Sequence, residues 1–318
     1  MTGEGWRQKA GVTFVDAFFR GLAGAGRLHP RSRPEAHGLE VIRDLPYTQS
    51  GRSHHLLDVY RPIHREGPLR TVLYVHGGGF RILSKESHWL MGLAYAKAGA
   101  VVFNINYRLA PADPFPAAIE DVCSAYQFVL DHAARFGGDP SRLVLAGESA
   151  GANLITALTI ALTYPRPEPF AAAAFERGVL PKAVLPACGI FQVTDPGRFE
   201  RRRKINGFVR DRIHEVTRVY LPPHLPRTPE ALALADPLPF LETGPRPERP
   251  LPPFFLPVGT KDVLLDDTRR LAVALQRQGA RAEARYYPGG IHAFHAFVWQ
   301  KEAKRCWQDS LHFTAREA

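Results

Sequence analysis

Residues 143–154 read LVLAGESAGANL, and no other stretch constrains the fold so tightly. An apolar run of strand length stops at a glycine, a serine stands between two glycines, and a helical run, ANLITALTIAL, follows at once. A strand that passes into a helix through Gly-x-Ser-x-Gly must make a sharp elbow. The serine at its apex takes strained backbone angles, and the flanking glycines remove side chains that would collide there. A tight turn with a helix-capping serine would produce the same letters, so the surrounding chain has to decide.

The surroundings alternate. Runs rich in β-branched and aromatic residues read as strands: LEVIRDL from Leu39, HLLDVY from His55, TVLYV from Thr71, VVFNIN from Val101, RLVLAG from Arg142, KAVLPA from Lys182, PFFLPVG from Pro253 and EARYYP from Glu283. Helical patterns separate most of the later ones. In AAIEDVCSAYQFVLDHAARFGG, residues Ile119, Val122, Cys123, Tyr126, Val129, Leu130 and Ala133 recur at helical spacing, and Gly137 ends the run. Apolar strands alternating with such helices indicate an α/β fold, with a mostly parallel sheet covered on both faces. The early strands have no helices between them and are expected to pair antiparallel at one edge.

Two regions break the alternation. One is residues 1–38, where GVTFVDAFFRGLAGAG reads as a short amphipathic helix; the other is 191–252, rich in proline and charge. Within the second, Ile205, Phe208, Val209, Ile213, Val216 and Tyr220 form one apolar stripe with a basic opposite face. Together they are expected to cap a core assembled from residues 39–190 and 253–318.

Of the chain's 318 residues, 45% are hydrophobic and 23% charged, enough to bury a sizeable core. No apolar run reaches the roughly 18 residues that span a bilayer, and Asp16 and Arg20 interrupt the only apolar stretch near the start. Neither stable membrane insertion nor a secretory signal is expected. Cys123, Cys188 and Cys306 are odd in number and widely spaced, which argues against a disulfide framework or a metal site and for a cytoplasmic setting. The net charge of +10 is spread along the chain apart from RRRK at 201–204. Without a nucleic-acid-binding signature it reads as a solvated surface, and no nucleic-acid partner is expected.

A serine hydroxyl is a poor nucleophile unless a base takes its proton and a third group orients that base. After an elbow of this type the acid and the histidine should follow in that order, each beyond a strand end. PFFLPVGTKDVLLDD supplies Asp262, and EARYYPGGIHAFH supplies His292. Their neighbours have other readings: Asp266 and Asp267 fall where the next helix starts and read as caps, and His295 lies in or near a helix. TVLYVHGGGF ends a strand in three glycines, a loop able to turn amide hydrogens into a cavity. The amides of Gly78 and Gly79, with that of Ala150, are the candidate donors to an oxyanion. There is no G-x-x-x-x-G-K-[ST] and no G-x-G-x-x-G before a helix, so a phosphate-binding loop is not indicated.

HGGGF, YRLAPADPFPAAIED at 107–121, GESAGAN, GTKDVLLDD and GIHAF occur in this order. The set resembles the hormone-sensitive-lipase family of α/β-hydrolase esterases over roughly Thr71 to Trp299. The resemblance implies an eight-stranded sheet with a helical cap, no cofactor and hydrolysis of small carboxylic esters. It maps Ser149 as nucleophile, His292 as base, Asp262 as orienter, and Gly78, Gly79 and Ala150 as oxyanion donors. Glu148 stands where many relatives carry aspartate, and Ala293 where many carry glycine, departures that bear on substrate fit.

The expected activity is that of a serine carboxylesterase working through an acyl-enzyme. Phe80, Trp89, Phe191 and Phe208, with Glu148, lie in segments that should border the site and are the candidate substrate contacts. A moderate apolar pocket would favour short or medium acyl chains on a small-molecule ester. An amidase or deacetylase acting on small aryl amides would use the same groups, and a non-catalytic small-ligand receptor could share the fold. A homodimer is left open.

Overall fold

In the computed structural model of the chain, residues 3–202 and 204–318 are described. The elements run α1 (Gly3–Arg27), β1 (Leu39–Pro46), β2 (Leu56–Pro62), β3 (Leu69–Val75), α2 (Trp89–Lys97), β4 (Ala100–Ile105), α3 (Ala117–Phe136), β5 (Gly138–Glu148), α4 (Ala150–Thr163), α5 (Pro169–Glu176) and β6 (Ala183–Ala187). They continue with α6 (Arg198–Arg202), α7 (Gly207–Tyr220), α8 (Pro237–Thr243), β7 (Phe254–Gly259), α9 (Leu265–Arg277), β8 (Ala282–Tyr287) and α10 (Lys301–Glu317).

The eight strands form one sheet in the order β1-β2-β4-β3-β5-β6-β7-β8. β2 pairs antiparallel with both β1 and β4, and every pairing from β4 to β8 is parallel. The antiparallel edge and the parallel body both match the sequence expectation. The central strands are buried on both faces, as in Ala100–Ile105 and Phe254–Gly259, where every residue is buried. This explains why they read as continuous apolar runs instead of alternating ones.

Local sequence sets the helix ends. Gly137, at φ 89°, closes α3 in the left-handed conformation that glycine adopts without strain. α4 has no exposed face: all fourteen residues are buried, and Thr156, Thr159 and Thr163 hide their hydroxyls by donating to the carbonyls four residues back. Asn206 caps α7 by accepting from the Val209 amide at 2.8 Å.

α1 packs against α7 and is tied to α2 by the Trp89 indole, which donates to the Ala23 carbonyl at 3.1 Å. The segment carrying α6 is pinned to the core by Arg198, which meets the buried Asp267 carboxylate at 2.6 Å. Asp267 also accepts from the Phe191 and Gln192 amides. The helix-capping reading of Asp267 is therefore corrected: it sits inside α9 and anchors residues 191–198. Asp266, at the surface, pairs with Arg202 at 3.6 Å and Arg269 at 3.4 Å.

Of the 201–204 basic cluster, residue 203 lies outside the described residues; Arg201 pairs with Asp195 at 2.5 Å. The three cysteines are unpaired and buried. Among the described residues no helix is long and apolar enough to cross a membrane.

Candidate active site

β5 ends at Glu148, α4 begins at Ala150, and Ser149 between them has φ 53° and ψ −114°. A non-glycine residue is rarely held there, and the strain persists because neighbouring packing dictates it. The requirement for glycine is visible next door, where a Cβ on Gly151 would run into the Val75 carbonyl at the end of β3. Ser149 donates its amide to the Ala187 carbonyl at 2.9 Å, which fixes the elbow to the end of β6.

The structure brings together the three residues that the sequence singles out. His292 Nε2 lies 3.0 Å from Ser149 Oγ, and Nδ1 lies 3.0 and 3.2 Å from the two carboxylate oxygens of Asp262. Asp262 is fully buried and also accepts from the Leu264 amide at 2.8 Å. Burial disfavours the charged imidazole of His292. The Asp262 carboxylate, with a smaller contribution from Glu148, outweighs that effect and raises its pKa above the ordinary histidine value.

The glycine loop lies alongside. Gly78 at φ 117° and Gly79 at φ 60° both line the cavity that contains Ser149 and His292. A Cβ on Gly78 would collide with the Ile82 carbonyl, so the loop's course requires glycine there. Ala150 opens α4, whose first amide hydrogens have no partner within the helix.

Behind the serine is a polar cluster that the sequence did not announce. Glu148 is buried, with one oxygen 2.8 Å from His88 Nε2 and the other 2.5 Å from His295 Nε2. Burial alone would raise the Glu148 pKa; the imidazoles of His295 and His88 override it and hold the carboxyl well below its usual range. His76, beside His88, is driven down to about 3, by burial first and by His88 second, and stays neutral. His295 follows His292 by three residues and sits in a 3-10 turn at Phe294–Ala296. The histidine spacing was the available signal; its partner on β5 was not readable.

The cavity over the site measures about 1490 Å³, larger than the moderate pocket expected from sequence. Trp89 and Glu148 line it. Phe80 is instead buried in the core, stacked on Tyr220 at 3.7 Å between ring centroids. Phe191 is wholly buried, Phe208 is 48% exposed beside Arg212, and none of these three aromatics lines the cavity. From α7 the wall receives Val209, Ile213 and Val216.

Among the described residues one three-ligand group, Cys188, Asp262 and His292, has the spacing to hold a metal ion. Asp262 and His292 already bond each other. Burial, then the nearby Asp262, push the Cys188 thiol well above its ordinary range, so it offers no ready thiolate.

Residues 72–296 match the family described as the alpha/beta hydrolase fold. An acetyl-hydrolase from Streptomyces hygroscopicus is 35% identical over 237 residues, covering 74% of this chain and 71% of that one. A Mycobacterium tuberculosis protein named carboxylesterase NlhH is 37% identical over 147 residues, 45% of this chain and 43% of its own length. Among solved structures, an esterase from the bacterial hormone-sensitive lipase family superposes with a TM-score of 0.73 at 24% identity, covering 100% of this chain and 99% of that one. The chain belongs to the α/β-hydrolase family and is a hydrolase.

Proposed function

We propose that the protein is a serine carboxylesterase acting on short- to medium-chain esters through an acyl-enzyme. The observation that carries the reading is the relay Ser149–His292–Asp262, with both hydrogen-bond links near 3.0 Å and a buried acid at its end. The names of the relatives, acetyl-hydrolase and carboxylesterase, agree with it.

The steps follow from the roles of the groups. Ser149 Oγ attacks the ester carbonyl carbon while His292 Nε2 takes the hydroxyl proton, and the carbonyl π electrons move onto oxygen. The oxyanion is met by the amides of Gly78, Gly79 and Ala150, a type of donor typically worth about 3 kcal/mol each in the transition state. His292 then gives its proton to the alcohol oxygen as the C–O bond breaks. Water attacks the acyl-enzyme by the same route and returns the serine. Asp262 keeps the Nδ1 proton in place and stabilises the imidazolium.

In this reading, α1 and the 191–252 segment form a cap over the site, with the apolar side chains of α7 leaning over the acyl group. The three unpaired buried cysteines fit a reducing, cytoplasmic setting. The test is initial rates on p-nitrophenyl acetate, butyrate and decanoate, with Ser149→Ala purified alongside. A loss on the order of 10⁴-fold or more in the variant supports the reading. Equal, slow rates in both proteins would refute it.

A further inference from the structure

The wall of the catalytic cavity is unevenly charged. Among its described lining residues stand six cations, Arg31, Arg81, Lys97, Arg212, Lys261 and Lys304, against two carboxylates, Glu148 and Glu215. Glu148 is already held by His88 and His295. Glu215, on α7, is the other carboxylate, and three guanidinium groups converge on it. Arg81 and Arg212 bond its two oxygens, Arg212 at 2.5 Å, and Arg218 approaches to 3.8 Å. The Glu215 side chain is 4% exposed, and those of Arg81 and Arg212 are mostly buried. Asp211, on the same helix, pairs with Arg210 at 3.5 Å. A single ion pair would fasten the glycine loop to α7; here three cations gather at one carboxylate. Their crowding is felt within the cluster: burial, then Arg218 and Arg212, lower the Arg81 pKa below the ordinary guanidinium value.

Printed contacts link this cluster to the serine through the glycine loop. A Cβ on Gly77 would lie 3.3 Å from the Ser149 Cβ, and one on Gly79 would lie 3.0 Å from Cγ2 of Val216, the residue after Glu215. Arg81 follows Gly79 by two residues, in a turn closed by its amide on the Gly78 carbonyl at 3.1 Å. Gly77 and Gly79 are at most ~7 Å apart. The arginines that line the cavity are therefore within reach of one substrate molecule whose ester sits at Ser149.

We infer that Arg81 and Arg212 are specificity-determining residues for a carboxylate on the substrate, and that the enzyme prefers esters bearing a free carboxylate to neutral esters of matching length. The inference deepens the esterase reading above and rests on it. A guanidinium presents a planar fork of N–H donors that matches a carboxylate, and charge-assisted bonds of this kind are the stronger class. The two side chains already hold one carboxylate, that of Glu215, so their placement suits a second group of the same chemistry. A cavity wall with an excess of positive charge also concentrates anions near the serine.

The experiment is a pH-stat comparison of kcat/KM on two matched pairs with the full chain: monoethyl adipate against ethyl hexanoate, and ω-acetoxyhexanoate against hexyl acetate. The first pair puts the carboxylate on the acyl half and the second on the alcohol half. The anionic member is expected to be favoured by at least ~10-fold in one pair, the worth of a hydrogen bond to a charged group. Arg81→Gln and Arg212→Gln should each cut that anionic-to-neutral ratio by at least ~5-fold. Glu215→Gln, which leaves the guanidinium groups to the substrate, should raise it. A ratio read within one protein is not moved by a lower folded fraction, and the opposite sign of Glu215→Gln tests the inference even where an arginine variant fails to fold. Raising the salt from about 0.05 to 0.5 M should lower the wild-type ratio. A ratio at or below one in both pairs, with the neutral esters still hydrolysed, overturns the inference and leaves the esterase reading standing. A preference that all three variants preserve overturns it equally. No turnover of any ester, p-nitrophenyl acetate included, overturns the esterase reading and the inference with it.

Discussion

His295 Nε2 lies 2.5 Å from a carboxylate oxygen of Glu148, the residue immediately before Ser149. His295 is three residues after His292, so this contact joins the serine elbow to the loop that carries His292. The second Glu148 oxygen holds His88 at the start of α2. A single buried anion thus ties together three segments that must meet at the site. Its charge also supports the cationic form of His292.

Glu148→Gln should act on both counts. Losing the anion removes a contribution that raises the His292 pKa, so the acidic limb of log kcat/KM should move to lower pH. The maximal rate should fall by roughly 10-fold or more as the two loops lose their shared partner. A pH-rate profile checks this; an unchanged limb would show that the residue only fills space.

The acidic limb of the wild-type enzyme has a definite sign. In the proposed mechanism His292 must be neutral to accept the serine proton, and its pKa lies above the ordinary value of 6.5. Activity should therefore be lost as pH falls through a value above 6.5. Stability runs the other way. A proton held more tightly in the folded state than in the unfolded chain contributes stability that is complete below the unfolded pKa, and that contribution disappears as pH rises through the folded one. Denaturation at pH 5.5 and 8.5 in His292→Ala against wild type would isolate it, expected as a smaller wild-type advantage at the higher pH.

Much of this organisation was legible in the sequence. Continuous apolar runs gave the buried strands, because a strand covered on both faces has no polar side. The elbow and Asp262 were legible because each lies just past such a run, and His292 because it follows the last strand, β8, a half-exposed edge strand. Contacts between distant elements were not legible. Asp267 looked like a helix cap because periodicity reports a residue's own helix; its partner Arg198 lies 69 residues away. Phe80 and Phe191 border the motifs in sequence, yet their rings turn into the core. The direction a side chain takes depends on backbone angles such as the φ of 60° at Phe80, which nothing in the letters specifies.

The Arg198–Asp267 pair should be a strong anchor. Both side chains are largely buried, and removing one partner leaves an uncompensated charge. Arg198→Ala should destabilise the fold by about 3 kcal/mol, read as a lower midpoint in urea denaturation.

Gly151→Ala should be worse tolerated than its small size suggests. The added methyl meets the Val75 carbonyl, part of a central strand that cannot retreat. A loss of at least ~3 kcal/mol is expected, visible as a large drop in Tm. An unchanged Tm would mean that the elbow does not sit where the packing places it.

The central claim is that Ser149 attacks a carbonyl with His292 as its base. Its most direct test is intact-mass and peptide mapping after exposure to diethyl p-nitrophenyl phosphate, which phosphorylates an activated serine. The account predicts one diethylphosphoryl group per chain, on the peptide containing Ser149, with labelling slowed on the order of 10³-fold or more in His292→Ala. A label on another residue, or equal labelling of both proteins, would contradict it.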